Sequence, residues 1–177
     1  MTCFVTVGTT LFEDLINKVL SDESIENLKS IGIQQIKLQI GNGNFDNDVI
    51  ERIFKSETLE NGAVEYNSMK IEYYRFKPSL QEDMKNSMII IGHAGAGTCL
   101  DVLKLEKPFI VAINEKLMDN HQTELACALA ENLHLLHCTP ATLPQTLLNP
   151  GLFTLIPYQP LSQKSVANFI DRRMGLM

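Results

Sequence analysis

The stretch that decides the fold is Ile89-Ile-Ile-Gly-His-Ala-Gly-Ala-Gly-Thr-Cys-Leu-Asp101. It begins as an apolar run, typical of a buried strand, and passes through a glycine-rich loop into a helix. Three glycines within six residues favour a loop that binds a diphosphate, because glycine lets the backbone approach a ligand and a helix start presents N–H groups to an anion. The alternative is a tight turn without a ligand. The spacing does not match the G-x-G-x-x-G dinucleotide fingerprint.

Short β-rich runs alternate with helical patterns on both sides of this stretch. The predicted strands are Thr2–Val7, Gln35–Ile40, Ile71–Phe76, Met88–Ile91 and Phe109–Ile113. The predicted helices are Leu11–Leu20, Leu80–Asn86, Cys99–Leu105 and Gln122–Asn132. This alternation predicts an α/β fold, a Rossmann-like parallel sheet with helices on both faces.

Ligands of such sheets bind beyond the carboxyl ends of the strands, so the residues after each strand indicate the site. These residues are Gly8-Thr9-Thr10, Gly41-Asn42-Gly43, Lys77, Gly92–Thr98 and Asn114-Glu115. Glycine recurs in three of the five segments, which predicts a binding site at this edge. The next residues along the last loop, Asp119-Asn-His-Gln122, are four consecutive hydrogen-bonding side chains suited to the hydroxyls of a sugar.

Several helix starts carry a capping-box pattern, in which a side-chain oxygen and a residue three positions later satisfy free N–H groups. The predicted boxes pair Thr10 with Glu13, Ser79 with Glu82, Thr98 with Asp101, and Asp119 with Gln122. Asp101 is also placed to accept two ribose hydroxyls, but its spacing alone favours the cap.

Length and charge limit the function further. The 177 residues suit one domain, and the net charge of −6 argues against a nucleic-acid surface or direct docking on anionic lipid. The four widely spaced cysteines are expected to be reduced thiols in a cytosolic protein, since the N-terminus lacks a signal-peptide pattern and no apolar run could span a bilayer. We divide the chain into a domain over residues 1–156 and a segment over residues 157–177.

In the second segment, Leu161–Met174 has the apolar spacing of an amphipathic helix. Two roles stay open for it, packing on its own domain or docking on another subunit. Elsewhere, His134, His137 and Cys138 suggest a metal site, but a strand over Leu133–Cys138 would point the two histidines to opposite faces. The sequence holds no G-x-S-x-G or P-loop motif for nucleophilic catalysis or phosphate binding.

Together, Val5–Thr10, Leu38–Gly43, Gly92–Thr98 and Asn114–Gln122 resemble the catalytic subunits of the eukaryotic two-part UDP-N-acetylglucosamine transferases of the dolichol pathway, in glycosyltransferase family 28. The resemblance covers about residues 1–148. More distantly, the chain is similar to the C-terminal half of the bacterial peptidoglycan N-acetylglucosaminyltransferase. It therefore implies the C-terminal lobe of a GT-B enzyme.

The resemblance also implies roles for individual residues. Gly8, Thr9 and Thr10 would face the diphosphate and the acceptor, Phe76 and Lys77 would read uracil through the backbone, and Ala96, Gly97 and Thr98 would bind the diphosphate. Asp101 stands where the bacterial relatives have a glutamate that binds ribose, and Gln122, beside Asp119 and His121, matches the glutamine that contacts the sugar. These matches favour ligand roles for Asp101 and Gln122 alongside the capping roles.

The implied reaction is inverting transfer from UDP-GlcNAc to GlcNAc-diphosphodolichol, with no metal or cofactor, because the helix N-terminus stabilises the departing UDP. The acceptor lobe would be a membrane-anchored partner subunit, which recruits this chain to the cytosolic face of the endoplasmic reticulum. The general base would come from that lobe, with His93 and His121 as weaker candidates. Two other functions stay open, a non-catalytic nucleotide-sugar-binding regulatory module and an NAD-dependent oxidoreductase.

Overall fold

A computed structural model of the chain describes residues 1–55, 60–116 and 120–159, with the backbone alone described for residues 120–122. The strands are β1 Thr2–Thr6, β2 Gln35–Gln39, β3 Asn61–Tyr66, β4 Met69–Tyr74, β5 Ile89–His93, β6 Phe109–Ala112 and β7 Leu136–Cys138. The helices are α1 Glu13–Val19, α2 Asp22–Ser30, α3 Asn47–Val49, α4 Gln81–Lys85, α5 Ala96–Leu103, α6 Asn120–Glu131 and α7 Leu143–Leu147. A π-helical turn, Ile50–Phe54, continues α3, and the 3-10 turns Pro140–Thr142 and Pro150–Phe153 flank α7.

The strands form one sheet in the order β3-β4-β2-β1-β5-β6-β7. All neighbouring strands run parallel except β3, which pairs antiparallel with β4 at the edge. The predicted α/β fold with a Rossmann-like sheet is confirmed, and each of the five predicted strands overlaps an observed one. The antiparallel edge strand is a difference from the fully parallel sheet that we expected.

Helices cover both faces of the sheet because the strands are apolar on both sides. Along β1, Cys3 and Val5 pack in one core with α1, α2 and α7, whereas Phe4 packs in a second core with α4, α5 and α6. In the same way, Ile89 and Ile91 of β5 face the first core and Ile90 faces the second. Fully burying one side chain of this size stabilises the fold by about 1.5–3 kcal/mol. The two cores keep the parallel strands aligned, so that their carboxyl ends lie along the same edge of the sheet.

The first three capping boxes predicted from the sequence are wrong. Helix α1 begins after Phe12 without a side-chain cap, and the Glu13 carboxylate accepts instead from the N–H of Asn44 at 2.8 Å. Helix α4 likewise has no side-chain cap, because Ser79 bonds only the N–H of Gln81, at 3.3 Å. The third box is wrong because the helix after β5 begins earlier than predicted.

Helix α5 begins at Ala96, so Thr98 and Asp101 lie inside it, and Gly95 takes the N-cap position without a side-chain bond. The fourth predicted box falls on Asp119, which lies outside the described residues, and on Gln122, whose side chain also lies outside them. Asp101 is therefore not a capping residue, and its ligand role stays a prediction.

Two further expectations concern the cysteines and the membrane. All four cysteines are free, and three are buried. Burial raises the pKa of the Cys99 thiol to about 11, so this thiol stays protonated near neutral pH. Within the described ranges, no helix combines the length and the apolar character that a membrane span needs. The predicted helix Leu161–Met174 lies outside the described residues.

Candidate functional site

The candidate site lies where the sheet reverses its strand order. From β1 the chain proceeds through β2 and β4 toward one edge, and from β5 it proceeds through β6 and β7 toward the other. Strands β1 and β5 are direct neighbours in parallel register, with Thr6 opposite Gly92. The loops that follow these two strands therefore leave the sheet in opposite directions and open a crevice between them, which is where ligands bind in folds of this class.

The first glycine-rich loop, Gly8–Thr10, closes a tight turn after β1. The N–H of Thr10 donates to the carbonyl of Val7 at 3.0 Å, and Gly8 has a φ of 58°. This left-handed conformation is disfavoured for residues with a Cβ. Thr9 at the tip of the turn is exposed. The turn therefore leaves the tip of this loop accessible to a ligand, and its predicted role in facing the diphosphate stays a prediction.

The second glycine-rich loop leads from β5 into α5. The first helical bond runs from the N–H of Cys99 to the carbonyl of Gly95 at 2.9 Å. The N–H groups of Ala96, Gly97 and Thr98 precede that bond, and Ala96 and Gly97 are exposed. These groups and the positive end of the helix dipole form an arrangement suited to an anion.

Gly97 is unusual because neither packing nor backbone conformation requires glycine there. A Cβ added at Gly97 would meet no described atom within 4 Å, and the residue lies in a regular helix without a positive φ. Glycine in a helix is less favourable than alanine by about 0.5–1 kcal/mol. Among the described residues nothing therefore fills the space beside Gly97, which leaves its backbone open to a ligand.

His93 at the end of β5 lies between the two loops. Its side chain is buried, and a Cβ on Gly8 would come within 2.8 Å of the ring while one on Gly95 would come within 2.3 Å. Burial lowers the pKa of His93 despite an opposing contribution from the Thr6 backbone, so the ring is neutral near pH 7. Among the described residues, Nδ1 has no hydrogen-bond partner. An unpaired buried polar atom costs about 1–3 kcal/mol.

The strand end after β4 joins the first loop in one pocket. Two residues of that loop line a cavity of about 160 Å³ together with Gln39 and the segment after β4. The lining residues are Gly8, Thr9, Gln39, Phe76, Lys77 and Leu80. Phe76 is 53% exposed, so its ring is available to a ligand at the pocket mouth. Four residues predicted from two separate motifs thus meet in one place.

The side chain of Lys77 is engaged by a buried carboxylate. Its ammonium group lies 2.8 Å from Asp83 Oδ2 and 4.1 Å from the centre of the Tyr74 ring. Asp83 also accepts from Lys37 at 3.0 Å and from the Tyr74 hydroxyl at 2.7 Å. Burial opposes ionisation of Asp83, but hydrogen bonds from Lys77, Tyr74 and Lys37 outweigh it and lower the pKa of this carboxyl. The Lys77 side chain is therefore held in an ion pair within the fold, which leaves the backbone of this residue for recognition of a ligand.

Asp101 lies on α5, one turn beyond the exposed N–H groups. Its side chain is 47% exposed, and Lys104 Nζ approaches it at 3.9 Å. An exposed ion pair of this length contributes little to stability. The carboxylate is therefore available to a ligand that reaches along the helix from its first turn.

The third predicted segment is described only in part. Asp119 lies outside the described residues, and His121 and Gln122 are placed by backbone in the first turn of α6. The start of this loop is tied to the segment that follows the first loop, because Asn114 Nδ2 donates to the Leu11 carbonyl at 3.4 Å and Lys116 pairs with Asp14 of α1 at 2.6 Å. The described start of this loop therefore lies beside the start of α1.

Two residues that the sequence analysis did not single out, Gln39 and Arg75, hold the loops of the candidate site in place. Arg75 donates to the carbonyls of Gly41 and Gly43 at 3.2 and 2.9 Å and thereby fixes the loop after β2. Gln39, buried at the end of β2, bonds both the first loop and Arg75. The sequence did hold a signal for Gln39, because a glutamine between apolar residues at the end of a predicted strand is a buried polar group that needs hydrogen-bond partners.

The alternative metal site gains no support from the geometry. His134 Nδ1 lies 2.8 Å from the Ile156 carbonyl, and its ring packs edge-on against Tyr158 at 5.4 Å. Among residues 1–55, 60–116 and 120–159, no group of three or more His, Cys, Asp or Glu side chains is arranged to hold a metal ion. The contacts of His134 instead attach the segment after Phe153 to the domain.

Comparison with known proteins identifies a family to which this chain is similar. Residues 2–172 match the model of the Glycosyltransferase family 28 C-terminal domain. The UDP-N-acetylglucosamine transferase subunit ALG13 of Homo sapiens is 44% identical over 136 residues, which are 77% of this chain and 11% of the human protein. The Saccharomyces cerevisiae protein of the same name is 33% identical over 155 residues, 77% of this chain and 77% of the yeast protein. This chain thus spans a small part of the human relative and most of the yeast one.

Two solved structures have a similar fold. An NMR solution structure of ALG13 superimposes with a TM-score of 0.69 and 27% identity, covering 95% of this chain and 94% of that one. Acinetobacter baumannii MurG superimposes with a TM-score of 0.54 and 21% identity, covering 85% of this chain and 40% of that protein. The second similarity concerns the fold alone and corresponds to one part of a longer chain.

Proposed function

The chain belongs to the glycosyltransferase family 28 C-terminal domain family, and on that premise we propose that it is the UDP-GlcNAc-binding catalytic subunit of an inverting N-acetylglucosaminyltransferase. The reaction would add the second GlcNAc to GlcNAc-diphosphodolichol during synthesis of the N-glycan precursor. The observation that carries the proposal is the crevice between β1 and β5, where two glycine-rich loops and the exposed start of α5 converge. The human relative, of which the chain matches 11%, and the yeast relative both bear the name of a UDP-N-acetylglucosamine transferase subunit.

The diphosphate would bind at the first turn of α5. The N–H groups of Ala96, Gly97 and Thr98 are donors held in place before any substrate arrives, and Gly8–Thr10 closes the opposite side of the crevice. As the bond to the sugar breaks, negative charge grows on the departing UDP. Fixed donors and the positive end of a helix dipole stabilise that charge without reorganising. This mechanism therefore does not require a metal ion.

The nucleoside would lie on one side of the diphosphate and the sugar on the other. Uracil fits the pocket that Phe76 and Lys77 share with the first loop. The Lys77 ammonium is held by Asp83, so recognition through the backbone is the role that this position can serve. Ribose would bind Asp101, whose half-exposed carboxylate lies one turn after the diphosphate donors. The sugar would be selected by Gln122 with Asp119 and His121.

The general base would come from the partner lobe, with two weaker candidates in this chain. His93 is neutral and therefore able to accept a proton, but it is buried behind the two glycines. That position suits support of the diphosphate loop better than contact with an acceptor hydroxyl, which has to approach from outside. His121 stays a second candidate. Inverting transfer needs one base and one displacement, so a single such residue is sufficient.

The acceptor is a membrane lipid, so the chain would act with a membrane-anchored partner on the cytosolic face of the endoplasmic reticulum. We propose that residues 157–177 contribute to docking, because the described part of this segment begins at an apolar surface. Phe153 and Ile156 next to it are 46% and 50% exposed. Apolar anchors on one face of a helix are a common way to bind a groove in a partner protein.

The test is transfer of labelled GlcNAc from UDP-GlcNAc to a GlcNAc-diphospholipid. The chain would be assayed alone, and after co-purification with the membrane proteins that it captures. We expect donor binding but no transfer by the chain alone, and transfer by the complex. UDP-glucose in place of UDP-GlcNAc is the matched control for the sugar. Donor binding without transfer by any captured complex would contradict the proposal and favour a regulatory module.

A further inference from the structure

The strongest unassigned feature is the buried amide of Gln39. Its side chain is 2% exposed, and all four hydrogen-bonding positions of the amide are used. Oε1 accepts from Thr6 Oγ1 at 2.6 Å and from the N–H of Gly8 at 2.8 Å. Nε2 donates to the carbonyls of Gly8 and Arg75, both at 2.8 Å. Because its partners include a backbone donor on one side and two backbone acceptors on the other, the amide fits in one orientation only.

These four bonds join two parts of the donor pocket that are far apart in sequence. Gly8 belongs to the first glycine-rich loop, and Arg75 immediately precedes Phe76 and Lys77 at the strand end. Gln39 itself lines the cavity between them. We propose that Gln39 is a positioning residue, which sets the first glycine-rich loop and the strand end at the separation that a nucleoside diphosphate requires. This inference rests on the proposed function.

The neighbouring backbone segments pack closely around this amide. Gly41 passes so close that a Cβ there would come within 2.8 Å of the Gly8 carbonyl and 3.5 Å of Gln39 Nε2. The Arg75 carbonyl accepts a second bond, from the N–H of Gly41 at 3.2 Å. A fold that needed only packing at Gln39 would be served by an apolar side chain. Four directed bonds instead fix the positions of three backbone groups.

The chain contains its own matched control. Thr2 and Gln35 occupy the same register positions at the amino end of β1 and β2 as Thr6 and Gln39 occupy at the carboxyl end. The Thr2 hydroxyl also donates to the Gln35 amide oxygen, at 3.3 Å. The two pairs share chemistry and sheet position but lie at opposite ends of the strands, so only the second pair is next to the pocket.

The test compares Gln39→Glu with Gln35→Glu and the unchanged chain. At position 39 an ionised carboxyl would face two carbonyl oxygens, whereas the protonated form keeps a donor for one of them. We expect UDP-GlcNAc affinity of Gln39→Glu, measured by calorimetry, to fall about tenfold or more relative to the unchanged chain between about pH 5.5 and 8.5. Gln35→Glu should follow the unchanged chain. Arg75, Lys77 and His93, the nearby titratable groups, are common to all three proteins.

A second readout separates this inference from the proposed function. The NMR signal of the Gly8 amide should shift with pH in Gln39→Glu and stay constant in Gln35→Glu, whether or not a donor binds. If the unchanged chain does not bind UDP-GlcNAc, the proposed function fails and this signal still decides the positioning role. A folded Gln39→Glu whose affinity and Gly8 signal follow those of the unchanged chain overturns the inference.

Should Gln39→Glu not fold, Thr6→Val against Thr2→Val replaces it. Thr6→Val removes one donor to the Gln39 oxygen and keeps the side-chain volume. We expect a several-fold loss of donor affinity for Thr6→Val and none for Thr2→Val. Equal affinities of the two valine variants would refute the positioning role.

Discussion

Substitution of Gly97 by alanine should make the protein more stable and a poorer binder of its donor. A Cβ at this position meets no described atom within 4 Å, and the residue lies in the first turn of α5. Alanine is favoured over glycine in a helix by about 0.5–1 kcal/mol. For a domain of this size we expect the unfolding midpoint to rise by about 1–4 °C. Packing alone would predict a harmless or beneficial change.

The expected effect on binding has the opposite sign. The new methyl group would occupy the space through which a diphosphate reaches the N–H groups of α5. Displacing one hydrogen bond to a charged group costs about 1.5–3 kcal/mol, which is a roughly ten- to hundredfold loss of affinity. Thermal unfolding and calorimetric titration with UDP-GlcNAc, performed on the same preparation, measure the two effects.

Two variants on either side of Gly97 serve as controls. Ala96→Gly makes the reverse exchange and should lower stability slightly while leaving donor affinity nearly unchanged. Gly95→Ala should destabilise the fold, because its Cβ would come within 2.3 Å of His93 Nε2. If Gly97→Ala is stabilised and binds UDP-GlcNAc as tightly as the unchanged chain, the diphosphate does not approach this backbone and our reading of the loop is refuted.

Three further predictions follow from other parts of the chain. Gln122→Ala should weaken binding of UDP-GlcNAc by on the order of 1 kcal/mol and leave UDP binding unchanged in paired titrations; equal losses with a lower melting temperature would indicate a helix cap. Truncation after Tyr158 should leave folding and donor binding intact and abolish co-fractionation with membranes, whereas unfolding would assign the segment to the domain core. Asp83→Asn should destabilise the fold by about 1–3 kcal/mol near neutral pH, because Lys77 loses its carboxylate partner and Lys37 keeps only Glu72, at 3.7 Å. The pKa of Asp83 is lowered by folding, so its contribution is present above the unfolded value of about 3.9 and is lost as the pH falls through the folded value. Chemical unfolding at several pH values should therefore show a smaller loss of stability on acidification for the variant.

The fold was predictable where the hydrophobic pattern was strong. The buried strands β1, β5 and β6 read clearly from their apolar runs, and glycine-rich loops after β1 and β5 indicated the edge of the candidate site. Helix α2 was missed because it buries only Ser24, Ile25 and Leu28 beneath a polar surface, so its pattern is weak. The positions of the buried strands were therefore easier to predict from the sequence than those of the covering helices.

The edge hairpin was missed for a different reason. Strand β3 alternates between exposed and half-buried residues and contains Asn61 and Gly62, which are uncommon in strands. The turn into β4 uses Asn67 and Ser68, both with positive φ, instead of the Asn-Gly pair that signals such turns most strongly. The neighbouring strand was consequently predicted too far along the chain, as Ile71–Phe76 in place of Met69–Tyr74.

The site was predictable as a set of loops but not as a bonded arrangement. Spacing within a loop indicated Gly8 and the Gly95–Thr98 segment, because local backbone chemistry is visible in sequence. The insertion of His93 between the loops depends on contacts between residues far apart in the chain, and so do the four bonds of Gln39. The capping box of Thr98 and Asp101 failed because α5 begins at Ala96, earlier than its apolar pattern indicates.

The central claim is that UDP-GlcNAc binds between β1 and β5 with its diphosphate on the first turn of α5. The most direct measurement is a titration of the isotope-labelled chain with UDP-GlcNAc, followed through the backbone amide signals. We predict that the largest changes occur at Gly8, Ala96, Gly97 and Thr98, and that uridine alone shifts the signals near Phe76 and Asp101 but leaves those of Ala96 and Gly97 nearly constant. Saturable binding that leaves the amides of Ala96, Gly97 and Thr98 unperturbed would contradict the account.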